Sequence, residues 1–67
     1  MRKPPFGARG PILIVDDDDG FRALLGTVLD HFGYLVVEAS TGEAALAEAT
    51  ASPPQLVVID VRLPGIS

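Results

Sequence analysis

Sixty-seven residues without a single cysteine allow one small domain and exclude a disulfide or thiolate–metal staple. An apolar fraction of 48% is enough for a packed core and argues against general disorder. The net charge of −4 is unevenly placed: Arg2, Lys3 and Arg9 give the first ten residues +3 and the remainder carries −7, a body unsuited to a phosphate backbone, so nucleic acid is not an expected partner.

Pro4, Pro5, Gly7, Gly10 and Pro11 interrupt any regular structure at the start, and a disordered basic tail is expected over residues 1–10. No apolar core of signal-peptide length precedes Pro11, and no apolar run approaches the roughly 20 residues of a membrane span. A cytoplasmic chain with no membrane partner is the expectation. Residues 11–67 then form a single domain, since no repeat or linker divides them.

Ile12-Leu13-Ile14-Val15 is apolar throughout and β-branched except at Leu13, which fits a strand buried on both faces of a parallel sheet. The run Asp16-Asp17-Asp18-Asp19 ends it. Asp19 is the expected N-cap of the next helix, and Asp18 and Asp19 both suit the positive helix N-terminus. Phe21, Leu24, Leu25, Val28, Leu29 and Phe32 recur at spacings of three and four and predict one broad apolar stripe. Tyr34 and the phenylalanines are expected in the core. Arg22 is expected to face solvent and to pair with a nearby acid. Gly26 either permits close packing or is tolerated at a cost of about 1 kcal/mol. His31 falls at the helix C-terminus, where the dipole favours a cation, so a capping or solvated role outweighs a catalytic one. Gly33 suits a left-handed cap, with Tyr34 packing back on the last turn.

Residues 34–39 (Tyr-Leu-Val-Val-Glu-Ala) read as a second strand. Ser40 and Glu43 have capping-box spacing before an alanine-rich helix that runs to about Ala51 and whose small side chains let it lie close to a sheet. Pro53 and Pro54 end that helix. Residues 56–60 (Leu-Val-Val-Ile-Asp) read as a third buried strand, and Pro64 and Gly65 mark a turn beyond it. The succession β-α-β-α-β predicts an α/β layer fold with right-handed crossovers.

Two apolar strands thus end in aspartate. With the first strand central and the order 2-1-3, they are neighbours about 4.8 Å apart, at the carboxyl edge where strand order reverses and open α/β sheets bind ligands. Asp16 or Asp17 then converges with Asp60. Their like charges oppose one another, and a hard cation such as Mg²⁺ relieves the repulsion. The same ion neutralises an incoming phosphoryl group and holds it in line with a carboxylate oxygen, and Asp is a known type of phosphoryl-accepting nucleophile.

Ile12-Leu13-Ile14-Val15-Asp16-Asp17-Asp18, Arg22, Gly33-Tyr34, Ala39, Gly42, Ala45-Leu46 and Leu56-Val57-Val58-Ile59-Asp60-Val61-Arg62-Leu63-Pro64-Gly65, in this order and spacing, resemble the N-terminal half of a receiver domain, the phospho-accepting module of two-component response regulators. The resemblance implies a flavodoxin-like parallel sheet, with Asp60 as phosphoryl acceptor. It implies Asp17 as a direct Mg²⁺ ligand, Asp16 as a supporting ligand through water, and Asp60 and the backbone carbonyl of Arg62 as the others. Pro64 and Gly65 would shape the loop beside the acceptor. It also implies a non-enzymatic module whose partner is a sensor histidine kinase or a phosphotransfer protein. A hydroxyl residue after a fourth strand and a lysine after a fifth have no counterpart here; the only lysine is Lys3. The expectation is a truncated receiver, impaired as a switch.

Two other classes compete. Asp17-Asp18-Asp19-Gly20 is similar to the nucleophile motif of haloacid-dehalogenase-type phosphohydrolases, with Asp17 as nucleophile and Asp19 as acid/base, but Phe21 stands where a small hydroxyl residue is usual. An EF-hand calcium loop is excluded, because Gly20 as its sixth residue would make Val15 the first ligand. The third class is an interaction fragment without phosphotransfer, self-associating through an exposed third strand.

Overall fold

Ile12–Val15 form strand β1, and at 0–2% exposure these four residues are the most deeply buried run among the described residues. The computed structural model describes residues 10–60. In chain order the remaining elements are helix α1 (Asp19–His31), strand β2 (Val36–Ala39), helix α2 (Gly42–Ala51) and strand β3 (Leu56–Ile59). Arg62, Pro64, Gly65 and, apart from Gly10, the expected tail lie outside the described residues.

The three strands are parallel in the order β2-β1-β3. This is the expected flavodoxin-like arrangement. Ile12 pairs with Val36 on one side and with Leu56 on the other, and the register runs unbroken to Val15 opposite Ala39 and Ile59. Side chains alternate between faces along a strand, so Leu13, Val15, Val37 and Ala39 share one face. There Ala44, Ala45 and Ala49 of α2 pack against them; the small residues do let this helix lie close. Helix α1 covers the opposite face, with Gly26 against Val36 and Glu38. The second crossover travels back across the sheet, and using the opposite face keeps both connections of one hand.

The local signals held in kind and shifted in detail. Asp18, not Asp19, is the N-cap of α1: its Oδ1 accepts from the Phe21 N–H at 3.0 Å, leaving Asp19 in the first turn. Thr41, not Ser40, caps α2, its Oγ1 accepting from the Ala44 N–H at 3.0 Å. Gly33, at φ +93°, ends α1 as expected. The Gly33 N–H donates to the Asp30 carbonyl and the Tyr34 N–H to the Leu29 carbonyl, the paired bonds of a Schellman motif. His31 occupies the last turn, with its ring edge-on to Phe32. Strand β2 starts at Val36 rather than Tyr34.

Two burial expectations fail. Only one flank of the α1 stripe is covered: Leu25 and Leu29 are half-buried, whereas Phe21, Leu24, Val28 and Phe32 are 43–65% exposed. The helix turns Arg22 and Gly26 toward the sheet, so the apolar stripe straddles the rim of the interface. Strand β3 is not buried either. Leu56, Val57 and Ile59 are 42–49% exposed, because among the described residues β3 pairs with β1 alone.

Candidate functional site

The carboxyl edge of β1 and β3 is built by backbone geometry. The Asp16 N–H donates to the Ala39 carbonyl at 3.1 Å, and the Asp60 N–H donates to the Val15 carbonyl at 3.0 Å. Both aspartates therefore leave the sheet from fixed positions, side by side. Oxygen atoms of Asp16, Asp17 and Asp60 lie within 4.8 Å of one another, with Asp16 and Asp60 half-buried and Asp17 exposed. An open cleft of about 510 Å³ lies over this edge, lined in part by Asp16, Asp17, Phe21, Val58 and Asp60.

The β1–α1 turn is ordered by its own acids. Asp16 Oδ1 accepts from the Asp18 N–H at 2.9 Å, an Asx-type turn that steers the chain from strand to helix. Asp18 then closes the helix start. The four-aspartate run thus divides its work: Asp16 and Asp17 point into the cleft region and Asp18 caps. Asp19 pairs with Arg22 at 2.6 Å.

Arg22 is the residue whose place the sequence misjudged. Its side chain is only 15% exposed and is not solvent-facing. Nη1 donates to the Asp16 carbonyl at 2.7 Å, Nη2 to Asp19 Oδ1 at 2.6 Å and Nε to Glu38 Oε1 at 3.1 Å. The hydrogen bond to Asp19, seconded by that to Glu38, raises the guanidinium pKa against the opposing effect of its burial. Nothing local marked this: Glu38, in the strand Val36-Val37-Glu38-Ala39, is itself exposed, and an exposed acid needs no cationic neighbour.

Three hard carboxylate oxygens at this separation suit a hard divalent ion. The fourth expected ligand, the Arg62 carbonyl, lies outside the described residues. The chain matches the family model described as "Response regulator receiver domain" over residues 12–67. It is a member of the response regulator receiver family. Its relatives include the alkaline phosphatase synthesis transcriptional regulatory protein PhoP of Bacillus subtilis, 47% identical over 79% of this chain and 22% of the relative. Sporulation initiation phosphotransferase F of the same organism is 44% identical over 82% of the chain and 44% of the relative. The transcriptional regulatory protein AfsQ1 of Streptomyces coelicolor is 40% identical over 82% and 24%. The receiver chain thus spans less than half the length of these relatives. No solved structure gives a significant match. Membership of the receiver family does not favour the phosphohydrolase reading, and Asp19, the acid/base of that motif, is held by Arg22. Among the described residues no helix is long and apolar enough to cross a membrane.

Proposed function

We propose that the chain is a cytoplasmic phospho-accepting module. Asp60 takes a phosphoryl group, in a Mg²⁺-dependent transfer, from a sensor histidine kinase or a phosphotransfer protein. The observation that carries this reading is the convergence of Asp16, Asp17 and Asp60 within 4.8 Å at one sheet edge.

Asp17 holds Mg²⁺ directly, Asp16 supports it through water, and Asp60 and the Arg62 carbonyl complete the protein's share. Bound there, the ion supplies positive charge toward the phosphoryl oxygens. The chain's own part is positional. Asp60 is presented from a strand end tied to Val15, so its carboxylate oxygen meets the phosphorus with little further ordering. An oxygen–phosphorus bond forms to Asp60 as the bond from phosphorus to the donor's nitrogen or oxygen breaks, and the donor keeps that electron pair. The module is an acceptor rather than an enzyme.

The test is incubation with Mg²⁺ and a small phosphodonor, followed by mapping of an acid-stable, base-labile adduct. The expected site is Asp60. Labelling at Asp17 would move the chain to the phosphohydrolases. Mg²⁺ binding with no adduct at Asp60 would remove the acceptor role.

Self-association through β3 belongs to the same proposal. It is favoured by the half-exposed Leu56, Val57 and Ile59 on a strand paired on one side among the described residues, since an open edge is a template for another strand. Light scattering coupled to size exclusion should show a dimer or larger species; a stable, folded monomer would count against it.

A further inference from the structure

We infer that Arg22 is a positioning residue for the acidic site: by gripping the Asp16 carbonyl it aims the Asp17 carboxylate, and it does so by the shape of its guanidinium rather than by its charge alone. This rests on the metal-and-acceptor reading above.

The Asp16 carbonyl belongs to the same planar peptide unit as the Asp17 nitrogen. Holding that oxygen at 2.7 Å from Nη1 fixes the orientation of the plane from which Asp17 departs. The other groups of Asp16 are fixed as well: its N–H is on the Ala39 carbonyl and its Oδ1 on the Asp18 N–H. Asp17 is exposed, and none of the hydrogen bonds that order this turn comes from its side chain. Its direction therefore depends on the peptide behind it.

The grip is braced from two elements. Nη2 is held by Asp19 in the first turn of α1, and Nε by Glu38 on β2. One planar fork thus ties the end of β1 to the helix that follows and to the neighbouring strand. A lysine carries the same charge but cannot offer three donors in a fixed plane. Groups that orient metal-binding side chains typically change affinity by about 10- to 100-fold when removed.

The test uses the full chain and the variants Arg22→Lys and Arg22→Gln, with two readouts. The first is Mg²⁺ affinity by titration calorimetry, where about a tenfold loss is expected in both variants. The second needs no metal: amide hydrogen exchange at Asp18, whose N–H is held by Asp16 Oδ1, should speed up in both variants while Leu13 and Val15 stay protected. Wild-type affinity in Arg22→Lys would overturn the inference, since charge alone would then suffice. Unchanged exchange at Asp18 would overturn it too. If wild type itself does not bind Mg²⁺, the metal reading fails, and the exchange experiment still decides whether Arg22 orders this turn. Should the Arg22 variants lose protection throughout β1, Glu38→Gln removes one brace from a separate strand. It must then give the same local loosening at Asp18, and an unaffected turn would overturn the inference.

Discussion

The backbone N–H of Asp60 donates to the carbonyl of Val15 at 3.0 Å, one step beyond the last Cα pair, Val15 with Ile59. That bond makes the acidic site a consequence of apolar register. Leu56–Ile59 align with Ile12–Val15, and the next residue on each strand is an aspartate. A slip of one residue would send every β3 side chain to the other face and would carry Asp60 away from Asp16. The apolar strands and the carboxylates are therefore parts of one specification.

Removing one carboxylate should stabilise the metal-free protein and weaken its response to Mg²⁺. In Asp17→Asn one of three charges within 4.8 Å is lost. In a water-like dielectric each relieved contact is worth about 1 kcal/mol or less. Wild type should gain about 2.7 kcal/mol at a Mg²⁺ concentration a hundredfold above its Kd, and EDTA should remove that gain. Urea melts with and without Mg²⁺ check both halves. An equal Mg²⁺ response in the variant and wild type would mean that Asp17 is no ligand.

The cap assignments make a sharper contrast. Asp18→Ala and Thr41→Ala each remove the side-chain acceptor of a helix start and should cost about 1 kcal/mol. Ser40→Ala, one residue away and exposed, should fall within about 0.5 kcal/mol of wild type. Chemical denaturation of the three variants separates them, and a larger loss at Ser40 than at Thr41 would contradict the cap geometry.

Those caps also show what a sequence of this kind reveals. Element order was legible because Ile12–Val15 and Leu56–Ile59 are uniformly apolar and each is followed by an acid. The acidic edge was legible for the same reason. The cap positions were not, because Asp18 beside Asp19 and Ser40 beside Thr41 are chemically equivalent candidates, and only backbone dihedrals choose between them. Nor was the burial of Arg22 legible. Arginine is mostly exposed in folded proteins, and besides Asp19 its partners are a main-chain carbonyl and Glu38, sixteen residues ahead. The apolar stripe of α1 overstated burial for a related reason: periodicity marks a face but does not say how far a neighbouring element extends beneath it.

Glycine substitutions should diverge. Gly10 has φ +122°, and a Cβ there would overlap the Pro53 carbonyl oxygen. The same residue is tied to the entry of β3, its carbonyl accepting from Gln55 Nε2 at 2.8 Å. Gly10→Ala should therefore cost about 1–3 kcal/mol. At Gly26 a Cβ would meet Glu38 Oε2 at 3.4 Å and Val36 Cγ1 at 3.6 Å, ordinary contacts with side-chain atoms. Gly26→Ala should be tolerated and should gain up to about 1 kcal/mol from helix propensity. Paired urea melts decide this, and a loss at Gly26 comparable to that at Gly10 would show that the α1–β2 contact has no room for a methyl group.

The pH dependence of Arg22 has a definite sign. Its folded-state pKa is raised above the ordinary guanidinium value, first by the hydrogen bond to Asp19 and further by that to Glu38, with burial opposing. A raised value means that the stability tied to its proton is complete below the unfolded pKa and is lost only as pH climbs through the folded one. Between about pH 7 and pH 10 the guanidinium is charged in both states. The stability difference between wild type and Arg22→Gln should therefore be constant across that window, although either protein alone has a slope from its other groups. Denaturant melts at several pH values give the difference directly. A slope in it would show that another titrating group is coupled to Arg22, and the two acids and the Asp16 carbonyl would then not be its whole environment.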